Sequence, residues 1–193
     1  MGFRKHLEKY RPGIIDNWFK SIVATYPPEA KKLFSNQSDS FNNPVGSTTL
    51  KSLENVFDAL LNEMAAAEIK KRLDPVIRIR AVQEFTPTQA LYFILDLKRV
   101  VRDVLKKELK AKDHEIQKGL QAFESQIDIL LFTGFEIYMG CREQIYSYKA
   151  NHVKDRTLRL LKKANLLCEV PEVGTEIIPH NVYKNGGFDD TKT

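Results

Sequence analysis

Two arginines, a glutamine and a glutamate crowd into RIRAVQEF, residues 78–85, and Thr-Pro-Thr-Gln follows immediately. A guanidinium binds carboxylates and phosphates through two parallel N–H donors, which makes Arg78 and Arg80 the chain's best candidates for contacts with an anionic ligand. Gln83 adds an amide that both donates and accepts. Phe85, just before the Thr86 cap, supplies an apolar contact to the helix that follows. On a helix, residues two apart point to different faces, so one arginine turns inward, toward a carboxylate or a carbonyl, if that helix is central. The stretch therefore has two readings. It is first a joint between helices, and second a ligand or signalling contact made by Arg78, Arg80, Gln83 and Phe85.

Other chemistry is thinner. The sequence has no phosphate-cradling Walker loop, no nucleotide-binding Gly-x-Gly pattern, no paired-histidine zinc motif and no Cys-x-x-Cys. Gly186-Gly187 follows no strand, so it makes no phosphate cradle. His6, His114, His152 and His180 are scattered and are expected on the surface; a metal site would need them to converge from remote positions. Cys141 reads as a small core residue. A nucleophilic pair with His152 would need an orienting group that nothing in the sequence supplies. Glu63, Glu68, Asp96 and Asp103 read as solvated helix faces, with Asp103 one turn before Lys107. No catalytic, cofactor-binding or metal-binding constellation emerges.

Composition points the same way. In 193 residues, 42% hydrophobic and 28% charged content is that of a globular chain able to bury an ordinary core. A formal charge of +5 is mild, and no clustered basic stripe with interleaved aromatics marks a nucleic-acid surface. Two cysteines are too few for a disulfide framework and fit a reducing cytoplasm. The N-terminus lacks an apolar signal core, and Leu7 stands where a myristoylation motif needs Ser or Thr. The most apolar run, Ile127–Phe135, is interrupted by Asp128 and is too short to span a bilayer, so no stable membrane insertion is expected.

The elements that position these residues read as helix after helix, an all-α fold. The first spans about Gly13–Thr25 and ends at Tyr26-Pro27-Pro28; a short one covers Glu29–Phe34. SNQSDSFNNPVGS reads as a loop anchored by Phe41 and Val45. Thr48 is the expected cap of a helix with Leu50, Leu53, Phe57, Leu60 and Leu61 on one face. Asp74-Pro75 predicts a new start, running to Phe85. Thr86, Pro87 and Gln89 form a capping box that opens a helix to about Leu109. The last long helix, about Glu115–Lys149, carries a seam through Ile116, Leu120, Phe123, Ile127, Leu130, Gly134, Ile137 and Cys141, with small Gly134 and Cys141 permitting close approach. Phe132, Phe135, Tyr138 and Met139 add a second stripe and predict a middle buried from several sides. A basic amphipathic helix continues over residues 150–167, and a Pro- and Gly-marked irregular tail follows over 168–193. Apolar surface left over toward the C-terminal end makes Ile145, Tyr148, Val153, Leu160, Leu161 and Leu167 candidate homodimer contacts, with Arg156, Arg159, Lys162 and Lys163 on the wet side.

Trp18 with Tyr26-Pro27, Phe34, Phe41, Asn43-Pro44-Val45-Gly46, the run Arg78 to Ala90, Leu97-Lys98, Tyr138 and Cys141-Arg142-Glu143 together resemble one family. It is the N-terminal domain of the RsbT co-antagonist proteins, the RsbR-type sensory subunits of the bacterial stressosome, in the RsbRD version. The resemblance covers roughly residues 13–165. It implies a globin-like sensor domain over residues 1–149, usually dimeric and usually without haem, in which Pro75–Phe85 resembles the F helix, Pro87–Leu109 the G helix and Glu115–Lys149 the H helix. PVIRIRAVQEF itself offers no histidine, cysteine, methionine or tyrosine to iron. Full stressosome sensors continue into a phosphorylatable STAS domain, which has no counterpart in the tail of this sequence, and that puts direct stressosome assembly in question. The expectation is a non-catalytic, cytoplasmic, homodimeric sensory or interaction domain without a cofactor. Its rivals are a haem-binding gas or redox sensor and an enzyme with an anionic-ligand pocket on Arg78, Arg80 and the carboxylates.

Overall fold

A computed structural model of the protein describes residues 2–34, 43–109 and 113–166. Among them every regular element is a helix: α1 (Phe3–Ala24), α2 (Pro28–Phe34), α3 (Pro44–Leu61), α4 (Ala66–Val82), α5 (Pro87–Val104), α6 (Lys106–Leu109) and α7 (His114–Lys163). The chain packs as two units, Met1–Ala150 and Asn151–Thr193. The all-α class is thus as the periodicity predicts. The tail from Leu167 onward and the loop residue Phe41 lie outside the described residues.

Three helix starts differ from the sequence expectation, each for a physical reason. α1 begins at Phe3, ten residues before Gly13, and carries Pro12 inside it. Proline removes one N–H and leaves the carbonyl of Glu8 without its helical donor. Both residues are exposed, so water can satisfy that carbonyl. Burial of Phe3 and Leu7 holds the early turns in place. α3 begins at Pro44 rather than Thr48, because the Asn43 Oδ1 accepts the Gly46 N–H at 2.8 Å and proline occupies the first turn. Gly46 must be glycine or move the cap: an added Cβ would lie 2.2 Å from the Asn43 amide nitrogen. α4 begins at Ala66, and Pro75 sits inside it. Asp74 is therefore not a cap; its carboxylate accepts from Arg78 Nε one turn on, at 2.6 Å.

Unit one is built around Trp18, Phe19, Phe57, Phe93, Leu53, Leu73, Ile77 and Ile94, all essentially inaccessible. α1 packs on α3 and α5, α3 packs most extensively on α4, and α4 meets α5 at a corner. Trp18 Nε1 donates to the Phe93 carbonyl at 2.7 Å, so the largest core side chain leaves no polar atom unpaired. α7 reaches α4 and α5 through Gly134: a Cβ there would stand 2.7 Å from Ile94 Cδ1 and 3.2 Å from Leu91 Cδ2. This is the close approach expected of a small residue on the seam. The second stripe is a correction. Tyr138 is buried, but Phe132 is 70% exposed, and Phe135 and Met139 are also open. α1, α3, α4 and α5 already fill the core side of α7, and no described element of unit one covers its other face.

Candidate functional site

The corner between α4 and α5 gathers three of the four residues singled out in RIRAVQEF. Arg80 lies on the inner face of α4 and is 1% exposed. Its Nη2 donates to the Gln89 carbonyl at 2.7 Å and to Thr25 Oγ1 at 3.0 Å, and its Nε donates to the Ala90 carbonyl at 3.1 Å. The guanidinium thus ties the end of α4 to the first turn of α5 and to the end of α1. Its plane lies over the Phe85 ring, 4.3 Å from the centroid, with Tyr26 and Phe93 at 5.5 and 5.8 Å. Gln83 enters through Tyr26, whose hydroxyl donates to Gln83 Oε1 at 2.7 Å. Arg78 is not part of this group. It is exposed and paired with Asp74. One arginine inward on carbonyls and one outward is the division that helical spacing implies.

The electrostatics of Arg80 are unusual. Among the described residues no carboxylate faces it and its Nη1, shielded from water, has no partner; it sits at the positive end of the α5 dipole. Burial holds its guanidinium below the usual arginine range, and nearby Tyr26 partly offsets this. Burial also pushes the Tyr26 phenol above its usual value. What stabilises the cation is three aromatic faces and three oxygen acceptors. A desolvated charge with a donor left over is costly for a residue that only fills space, and such environments concentrate at functional sites.

The turn that follows is held from outside. Glu84 adopts a left-handed conformation, φ 61°, which disfavours any side chain with a Cβ. Three α7 side chains hold this segment: Tyr138 donates its hydroxyl to the Phe85 carbonyl at 2.6 Å, and Arg142 Nη1 donates to the Ala81 carbonyl at 3.2 Å. Lys149 pairs with Glu84 at 3.5 Å, an exposed contact of small energy. Thr86 then starts α5: its Oγ1 accepts the Gln89 N–H while Gln89 Oε1 accepts the Thr86 N–H at 3.0 Å, the reciprocal box the sequence predicts. Sequence spacing alone does not single out Tyr26, Tyr138, Arg142 and Lys149 as partners of this corner. The available signal was the polar spacing on α7, where Tyr138 and Arg142 stand one turn apart.

Several other polar residues depart from expectation. Asp96 is buried rather than solvated, with both oxygens accepting from Arg99 at 2.7 and 3.0 Å. Asp103 meets Arg99 rather than Lys107. Glu63 lies just past α3 in a left-handed conformation. His6 is half-buried with Nδ1 shielded and unpartnered, whereas His114 and His152 are exposed and His180 lies outside the described residues. Cys141 is a core residue whose thiol is pushed up by burial, the setting of an inert cysteine. Of the candidate dimer residues, Tyr148, Val153 and Leu160 are exposed, Ile145 and Leu161 half-buried, and Leu167 lies outside the described residues. A second apolar surface lies on unit one, where Leu91, Tyr92, Leu95, Phe132 and Phe135 line a cleft of about 500 Å³ between α5 and α7.

The inward residues of α4, Leu73, Val76, Ile77, Arg80 and Ala81, include no iron ligand, and the inner faces of α3 and α4 are packed together. No group of His, Cys, Asp and Glu among the described residues is arranged to hold a metal ion. No helix among them is long and apolar enough to cross a membrane.

Comparison with known proteins places this geometry in a family. The family model for the RsbT co-antagonist protein rsbRD N-terminal domain matches residues 12–152, most of the chain and all of the α4–α5 corner. An uncharacterized protein of Archaeoglobus fulgidus is 25% identical over 156 residues, covering 79% of this chain and 90% of that protein. No solved structure matches the chain. The chain belongs to the rsbRD N-terminal domain family.

Proposed function

We propose that this member of the rsbRD N-terminal family is a non-catalytic sensory domain, globin-like and haem-free, that acts in the cytoplasm as a homodimer. The observation that carries the reading is the α4–α5 corner, where a buried unpaired cation is bonded to three oxygens and α7 side chains grip the backbone on either side of the turn. A ligand or partner that displaces α4 changes the acceptors of Arg80. It also changes the carbonyl positions that Tyr138 and Arg142 follow. The shift then passes along α7 toward the segment after Ala150. Two packings separated by a few kcal/mol are enough for such a device.

The homodimer is supported by the apolar face of α5 and α7. Tyr92, Leu95, Phe132 and Phe135 leave several hundred Å² of contiguous apolar surface open, by the usual size of aromatic side chains, and monomeric proteins rarely leave that much without a use. A second copy related by a two-fold axis is the commonest cover. Its lining, aromatic and aliphatic, is that of an interface core.

The coupling between the corner and α7 is tested by a double-mutant cycle of Arg80→Met and Tyr138→Phe in urea unfolding. Residues that act as one unit give an interaction energy of roughly 0.5–3 kcal/mol. Additive effects would show that α7 does not read the corner.

A further inference from the structure

We propose that the outer cleft between α3 and α4 binds a small dianionic oxyanion, phosphate or the phosphate group of a small ester. The cleft has a volume of about 390 Å³ and is walled by Lys51, Ser52 and Asn55 of α3 and by Glu68, Lys71 and Arg72 of α4. Lys51, Lys71 and Arg72 make no ion pair among the described residues, although arginines elsewhere on the fold, Arg11, Arg78, Arg99 and Arg102, each meet a carboxylate. Glu68 stands one turn before Arg72 and is not paired with it either. Three cations and one carboxylate therefore leave two net positive charges on one small concave surface, the complement of a dianion.

Arg72 is the second, independent indication. Its Nε is shielded from water and has no acceptor among the described residues. A guanidinium edge left without an oxygen is what a bidentate oxyanion satisfies, since Nε and one Nη donate in parallel. Ser52, itself buried, and the half-buried Asn55 add neutral donors from the facing helix. The volume suits a tetrahedral oxyanion with a small substituent. Arg72 and Arg80 are eight residues apart on α4, about 12 Å along its axis at the usual helical rise. An anion drawing α4 toward α3 would therefore act on the same rod that carries Arg80. This last step rests on the sensory reading above; the site itself does not.

The test is titration of the full chain with inorganic phosphate, sulfate, glycerol phosphate and chloride at matched ionic strength, followed by Tm and by amide shifts of residues 48–55 and 68–75. Phosphate and sulfate are expected to raise Tm saturably and to move those amides, while chloride does neither. Tighter binding of glycerol phosphate than of phosphate would identify an ester as the natural ligand; equal binding would identify the free oxyanion. Arg72→Met should weaken binding at least tenfold. Glu68→Gln, which only removes the opposing charge, should tighten it severalfold and covers the case in which Arg72→Met fails to fold. Equal effects of all four salts, non-saturating shifts, or affinity indifferent to both substitutions would overturn the site. Saturable binding that leaves amide exchange of residues 138–149 unchanged would instead uphold the site and overturn its link to α7.

Discussion

Arg80 is the residue on which the corner depends. It brings a full charge into the core and gains only neutral acceptors, so its replacement removes hydrogen bonds and a desolvation cost together. Thr86 is simpler. Its hydroxyl accepts one free N–H at the start of α5 and donates to Gln89 Oε1 at 3.1 Å. Thr86→Ala is expected to cost about 1 kcal/mol in urea unfolding, the usual value of a lost N-cap. Unchanged stability would mean that the box is not formed in solution. This box was legible because its parts lie within four residues, with proline at the first position and glutamine at the third. The partners of Arg80 were less so. That one of the two arginines turns inward follows from helical spacing, but Thr25 and Tyr26 lie more than fifty residues away in sequence and no local rule connects them.

Among the elements, α7 places its small residue where a large one cannot fit. Gly134 lies against Ile94, Leu91 and Leu73, two of them on α5 and one on α4. Gly134→Val forces these side chains apart and should destabilise the fold by about 1–3 kcal/mol, the usual cost of overpacking, read as a lower midpoint in urea. A neutral result would show that α7 sits farther from α5 than described. The seam containing Gly134 was readable from its three- and four-residue steps, because burial on one helical face leaves that imprint directly. Helix starts were harder. Asp74-Pro75 reads locally as a beginning, yet burial of Leu73 before it continues the helix through it, as burial of Leu7 does at Pro12. The Asn43-Pro44 start was hidden for the opposite reason: a polar, turn-rich run conceals a cap whose donor, the Gly46 N–H, is only three residues on. The stripe through Phe132 and Phe135 had the spacing of core, but spacing cannot say whether the cover comes from the same chain.

At the scale of the whole molecule, that uncovered stripe predicts self-association. Full-length protein at tens of micromolar is expected to sediment as a dimer, and Phe132→Arg should yield a folded monomer. Truncation after Lys149 distinguishes the two candidate surfaces. A weakened dimer would assign the contact to residues such as Val153 and Leu160, and an intact one would assign it to the α5–α7 face. A monomeric wild type contradicts both. The central claim is that the corner and α7 move as one device. Its most direct measurement is hydrogen exchange, peptide by peptide, in Arg80→Met against wild type. The account predicts faster exchange both in residues 81–90 and in residues 138–149 of α7, with residues 14–22 of α1 unchanged. Faster exchange confined to residues 81–90, with α7 as protected as before, would contradict it.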